Sequence, residues 1–188
     1  MSMGALAQKK SRRSFIYVCC AFIVPIVLAK LALEQQWFNY GVTNQGQLLE
    51  SGLTLEQLGL SEQDFDQSWL ILYRLPQECT LQCQRTLASV NNTYIALGKE
   101  MPRVKPVALI FEALTAEQLA AIQTKRWHIQ PIPSLARNLI KQPQVYIVDP
   151  LGNLVLSHVP PQESKDLPAF GKGILADLKK LLKYSRIG

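Results

Sequence analysis

Cys79 and Cys83 are separated by three residues. They lie where an apolar run, Trp69-Leu-Ile-Leu-Tyr73, gives way through Leu75-Pro76-Gln77-Glu78 to a helical pattern. On a regular helix, residues four apart share a face with Cα atoms about 6 Å apart. That is inside the range a disulfide spans, so Cys79 need only sit at the helix mouth for the bridge to close. A loop this short gives little chain-entropy stabilisation. The chemistry open to the pair is reversible dithiol–disulfide exchange, a two-thiolate bite for a soft ion such as Cu(I), or a plain structural bridge. A helix N-terminus favours thiolate over thiol, and Arg74 and Arg85 act in the same sense, while Glu78 opposes them. Cys79, nearer the mouth, is the expected attacking thiol and Cys83 the resolving one.

Other residues with chemical potential are few. Cys19 and Cys20 fall inside an apolar segment and read as small apolar filler. The chain has two histidines. His128, between Trp127 and Ile129, and His158, at the end of an alternating run, both read as outward strand residues without metal-motif spacing to the cysteines. No Gly-x-Ser-x-Gly motif and no glycine-rich phosphate loop occurs, which argues against hydrolase and nucleotide-binding chemistry. Pro143 stands immediately before the apolar run 144–148.

The elements that must position these residues follow from periodicity. The runs 69–73 and 107–111 read as buried strands, the second preceded by Pro106. Between them, 80–97 carries apolar residues at helical spacing and stops at Gly98. Thr115 opens a second helix over 115–125, and 127–129 reads as a short strand. Strands 144–148 and 154–158 flank Asp149-Pro-Leu-Gly-Asn153 as a hairpin. A last helix over 173–184 places Ile174, Leu175, Leu178, Leu181 and Leu182 on one face. The order strand–helix–strand–helix–hairpin–helix allows two right-handed crossovers and a helix closing the sheet.

The net charge of +6 belongs to topology rather than to a nucleic-acid surface. Lys9, Lys10, Arg12 and Arg13 precede the apolar segment and Lys30 lies in it, leaving 15 of the 20 basic residues to face all 14 acidic ones from residue 34 onward. A near-neutral domain without a basic stripe is poorly made for phosphate backbones, so no nucleic-acid partner is expected. The segment 15–33 is apolar apart from Cys19, Cys20 and Lys30, and no small-x-small cleavage site follows it. It reads as a retained single-pass anchor with the N-terminus inside. The expected organisation is a basic cytoplasmic N-terminus (1–13), a transmembrane helix (14–33), a linker or N-terminal extension (34–64) and one folded domain (65–188). In a bacterium that domain lies in the periplasm, held at the inner membrane.

With these residues in place, the chain resembles the membrane-anchored, Sco/SenC-like thioredoxin-fold proteins associated with cytochrome c oxidase biogenesis. The likeness rests on the anchor, on Asn39-Tyr-Gly41, on Trp69–Tyr73 running into Cys79-x3-Cys83, on Tyr146-Ile-Val-Asp-Pro-Leu-Gly-Asn153, and on the C-terminal helix. It implies a thioredoxin-like α/β fold, a central mixed sheet flanked by helices. It also implies partners among cytochrome c oxidase subunits or copper assembly factors, and a role as a thiol–disulfide protein, a Cu(I)-binding chaperone or a non-catalytic scaffold. In Sco proteins a copper-ligating histidine lies about eight residues before the Asp-Pro aspartate; here that residue is Lys141. A protonated lysine does not bind Cu(I), so Cys79 and Cys83 remain as the only candidate ligands of that set. Pro143 resembles the cis-proline position of TlpA-like thiol reductases, where it faces the cysteine loop.

Overall fold

The computed structural model describes residues 3–34, 44–49, 52–123 and 126–185. They fall into two compact units, one over residues 1–43 and one over residues 44–188. The first is a single helix, α1 (Met3–Glu34), with Pro25 inside it. The large apolar side chains from Phe15 to Leu31 are exposed, Phe22 and Ile26 each by about 70%. Among the described residues no helix is long and apolar enough to cross a membrane. The side chains described in α1 end at Leu31, inside the 15–33 stretch expected to span.

The second unit is built on six strands. They are β1 (Gln47–Leu48), β2 (Trp69–Arg74), β3 (Val104–Ile110), β4 (His128–Pro131), β5 (Val145–Val148) and β6 (Leu154–His158). The helices are α2 (Leu81–Ile95), α3 (Ala116–Gln123) and α4 (Leu167–Tyr184). The sheet order is β1-β6-β5-β2-β3-β4. β2, β3 and β4 run parallel, while β5 pairs antiparallel with β2 and β6, and β1 pairs antiparallel with β6. The sheet is therefore mixed, with α2 and α3 as the crossovers between parallel strands.

β2 is buried along its whole length, as a central strand must be. Trp69, Ile71 and Tyr73 face a core completed by Leu87 and Val90 of α2, and by Ile174 and Leu178 of α4. Leu70 and Leu72 face a second core. That second face is where the structure differs from the expected linker. Residues 44–49 and 52–64 belong to the folded unit, and Leu53, Leu55, Leu58 and Leu60 cover the sheet face that α2 and α4 leave open. The Glu56–Leu58 and Glu62–Phe65 3-10 turns carry this cover, and the second is closed by a capping box between Ser61 and Asp64. The remaining residues of the expected linker, 35–43 and 50–51, lie outside the described residues.

Local turn chemistry holds where it was read. Gly98 follows α2 at φ +60°, a left-handed conformation in which glycine carries no Cβ penalty. Thr115 and Gln118 exchange backbone and side-chain bonds as a capping box ahead of α3. In the hairpin, Asp149 Oδ1 accepts from the N–H groups of Leu151 and Asn153. The last helix begins at Leu167, six residues earlier than the periodicity suggested. Pro168 at its start is compatible with a first helical turn.

Candidate functional site

The chain leaves β2 when the Leu75 N–H donates to Leu109 O, and it then runs through Pro76-Gln77-Glu78 into α2. Cys79 lies just before the N-cap Thr80, and Cys83 is the third residue of the helix. The two sulfurs are joined in a disulfide across a Cα separation of 5.1 Å. Cys83 is 2% exposed and belongs to the core with Tyr73 and Leu87, whereas Cys79 is only half-buried against that core. The order of access expected from the sequence is thus the order in the fold: Cys79 outside, Cys83 beneath.

The helix mouth is electrostatically open. Thr80 makes no side-chain capping bond and the first turn of α2 contains no acidic residue. The partial positive charge of the first-turn N–H groups favours a thiolate on either sulfur once the bridge is reduced, with Glu78 beside Cys79 opposing it. The loop after β6 is pinned to this turn, since Gln82 Nε2 donates to Pro161 O and Arg85 donates to Ser164 Oγ.

A cleft of about 400 Å³ opens over Cys83, bounded by Tyr73, Glu78, Gln142, Pro143 and Pro160. Pro143 and Cys83 line this cleft together, but the expected cis bond is absent: no described peptide bond is cis. Trans is the lower-energy isomer for an X–Pro bond by about 0.5–1 kcal/mol, and Pro143 keeps it at the entry to β5, where Gln144 O accepts from the Arg74 N–H at 3.0 Å. Burial pushes the Tyr73 phenol in this cleft up to about 12, against the opposing pull of Thr86 and Arg74, so it remains a neutral O–H.

On the other face of the sheet a second cleft, of about 390 Å³, is lined by Arg74, Pro76, Phe111, Arg137 and Lys141. Pro76 belongs to both. The sequence singled out Arg74 and Lys141 but gave no sign of Arg137 or Phe111, which arrive from separate loops. Lys141, at the place of the Sco histidine, is exposed here.

The histidines are placed differently from each other. His128 is exposed on β4, as expected. His158, expected at the surface, is 6% exposed, because β1 pairs outside β6 and α4 packs over the strand end. Its Nε2 lies 3.3 Å from Asp177 Oδ2. Burial pulls its imidazole below the ordinary histidine range, with Asp177 opposing. Sequence reading missed Asp177, an aspartate inside the apolar face of α4, and a charge at a core position was the available signal.

The residues present do not fit a three-ligand copper site. Cys79 and Cys83 would offer two sulfurs when reduced, Lys141 carries an ammonium, His128 stands exposed on the edge strand β4, and His158 is buried with its Nε2 3.3 Å from Asp177. Among the described residues no group of three histidine, cysteine, aspartate or glutamate side chains is placed to hold a metal.

Comparison with solved structures agrees on the fold. Apo Sco1 protein from Thermus thermophilus superposes with a TM-score of 0.53 at 16% identity, over 74% of this chain and 97% of that one. A SCO1/SenC family lipoprotein from Bacillus anthracis gives 0.49 at 15%, covering 64% and 84%. A putative thiol:disulfide interchange protein DsbE from Chlorobium tepidum gives 0.46 at 19%, covering 62% and 84%. At 16% identity the likeness to the Thermus protein speaks to fold alone, and the other two carry no weight. No curated protein matches the chain. The family model described as transmembrane-like, thioredoxin-like, C-terminal domain matches residues 69–185, from the first residue of β2 to just beyond the end of α4. That match spans more than half of the chain, and the protein belongs to this thioredoxin-like family.

Proposed function

We propose that the protein is a membrane-tethered thiol–disulfide protein. One observation carries the reading: a disulfide at an uncapped helix mouth, with its outer cysteine half-buried and its inner cysteine buried at the floor of an open cleft. A structural bridge has no need of this asymmetry, whereas exchange chemistry does. In the reducing direction the Cys79 thiolate attacks a client disulfide. A Cys79–client bond forms and the client's other sulfur leaves as a thiolate. Cys83 then displaces the client, closing the Cys79–Cys83 bond and releasing the second client thiolate. Two electrons pass to the client, and a dithiol donor must restore the pair.

The tether is part of the proposal. The sequence 15–33, apolar apart from Cys19, Cys20 and Lys30, is suited to hydrocarbon rather than to water, and Lys9, Lys10, Arg12 and Arg13 ahead of it favour a cytoplasmic N-terminus. The clients we assign are cysteines of cytochrome c oxidase copper-site subunits or of copper assembly factors, reached from the periplasmic side of the inner membrane. This assignment rests on the resemblance to Sco/SenC-like proteins.

The test is a glutathione redox titration of the full chain in detergent, read by thiol alkylation, joined to an oxidase-assembly assay with the Cys79→Ser/Cys83→Ser chain. Reversible oxidation and lost assembly are expected. A pair that never changes state, or full assembly by the double variant, would replace this reading with a scaffold. A reporter fused after Gly188 is expected to be active only outside the cytoplasm.

A further inference from the structure

Arg74 is the last residue of β2 and its side chain is 8% exposed. Its guanidinium makes no hydrogen bond among the described residues, and its Nε is buried without a partner. What touches it is aromatic: the charged carbon lies 5.1 Å from the Phe111 ring centroid, and Arg137 stands at the same distance from that ring. The Nε of Arg137 is likewise buried and unpartnered. Lys141 completes the lining.

Among the described residues one carboxylate answers this cluster, and it pairs with Arg137 alone. Glu112 Oε1 accepts from Arg137 at 3.3 Å and from Gln77 Nε2 at 3.1 Å, and nothing comparable faces Arg74. Two guanidiniums against one ring, with one acid between them, leave a positive excess in a recess of about 390 Å³. An arginine whose Nε is buried without an acceptor is costly to keep, and its planar fork at the cleft wall is matched by a carboxylate. The position narrows the ligand. This cleft and the cysteine cleft lie on opposite faces of the sheet at the same end of β2, and both use Pro76 as a wall. The segment Lys141-Gln142-Pro143 runs from one cleft to the other.

We propose that the Arg74–Arg137–Lys141 cleft binds a carboxylate carried by the polypeptide whose sulfur reacts at Cys79, so that the protein selects clients with an acidic residue close to the cysteine. The proposal builds on the thiol–disulfide reading and adds a substrate class to it. Arg74 and Lys141 are the binding groups, and Phe111 holds the Arg74 guanidinium in place.

The test uses the full chain in detergent with its disulfide formed, and two peptides alike except for glutamate or glutamine two residues from a single cysteine. In the reaction followed, the peptide thiolate bonds to Cys79 Sγ, the Cys79–Cys83 bond breaks, and Cys83 leaves as a thiolate that takes a proton from water. A second peptide thiolate then releases Cys79 and forms a peptide disulfide. The glutamate peptide is expected to react about tenfold faster at low salt, the scale of one charge-assisted contact. Lys141→Gln and Arg137→Gln should slow the glutamate peptide and bring that ratio within about twofold of unity. Arg74→Met should do the same if it folds. Equal rates for the two peptides in the unaltered chain would overturn the cleft while leaving exchange intact. S-methylated copies of both peptides separate the two readings if neither peptide reacts. Preferential binding of the glutamate copy, lost in Lys141→Gln, would support the cleft alone, and equal binding would overturn it. Free succinate binding as tightly as the glutamate peptide would also overturn the assignment to a polypeptide.

Discussion

His158 Nε2 and Asp177 Oδ2 stand 3.3 Å apart, a buried imidazole at the end of β6 facing a buried carboxylate from the middle of α4. The same carboxylate accepts from the backbone N–H groups of Gln45, at 3.0 Å, and Gly46, at 2.8 Å. Asp177 thus ties the start of the folded unit to its last helix. Gly46 passes so close to the imidazole that an added Cβ would fall 2.6 Å from Nε2.

Replacing Asp177 by alanine should leave two N–H groups without their acceptor and separate β1 from α4. The expected loss is about 3 kcal/mol, the scale for removing one partner from a buried charged network. Urea denaturation of the full chain in detergent measures it, and a loss below about 1 kcal/mol would contradict the tie.

His158 gives a pH dependence with a definite sign. Its folded pKa lies below the unfolded value because burial penalises the cation, more than Asp177 recovers. Below about pH 6.5 the unfolded chain takes up a proton that the folded chain resists, so stability falls as pH drops through that value and levels off below the folded pKa. The stability difference between the unaltered chain and His158→Gln should shrink between pH 7.5 and 5. A difference that grows on acidification would mean the imidazolium is the favoured buried form.

For the cysteines, Cys83→Ser should accumulate mixed disulfides through Cys79, because the resolving thiol is gone and the attacking one is accessible. Cys79→Ser should capture less, since Cys83 is 2% exposed. Non-reducing gels and mass spectrometry of the captured species test this order. Equal capture would place the attacking role on neither sulfur in particular.

The reduced chain with Cys19 and Cys20 replaced by serine should hold Cu(I) through at most two thiolates, and Lys141→His should tighten it by about tenfold or more by adding an imidazole. Competition with a chromophoric Cu(I) ligand reads the change. A histidine ligand in the unaltered chain, abolished by His128→Ala or His158→Ala, would overturn the donor set described here.

The local elements were legible because their causes are local. β2 and β3 are unbroken apolar runs, α2 keeps a helical spacing to its glycine stop, and the Asp149–Asn153 turn carries its own acceptors. The cysteine pair was equally legible, since four residues of spacing at a helix mouth determine its reach. The remaining features depend on contacts between segments far apart in the chain. The leucines at 53, 55, 58 and 60 look like a linker until a bare sheet face is there to receive them. His158 looks like an edge residue until β1 pairs outside it and α4 closes over it. The isomer of the Gln142–Pro143 bond, which is trans, is likewise not written in the proline itself. Arg74 followed by Cys79 could be read along the chain, but the cleft needs Phe111 and Arg137 from two other loops. Spacing along one element is set by bond geometry, whereas burial and charge pairing are set by whichever surfaces the fold brings together.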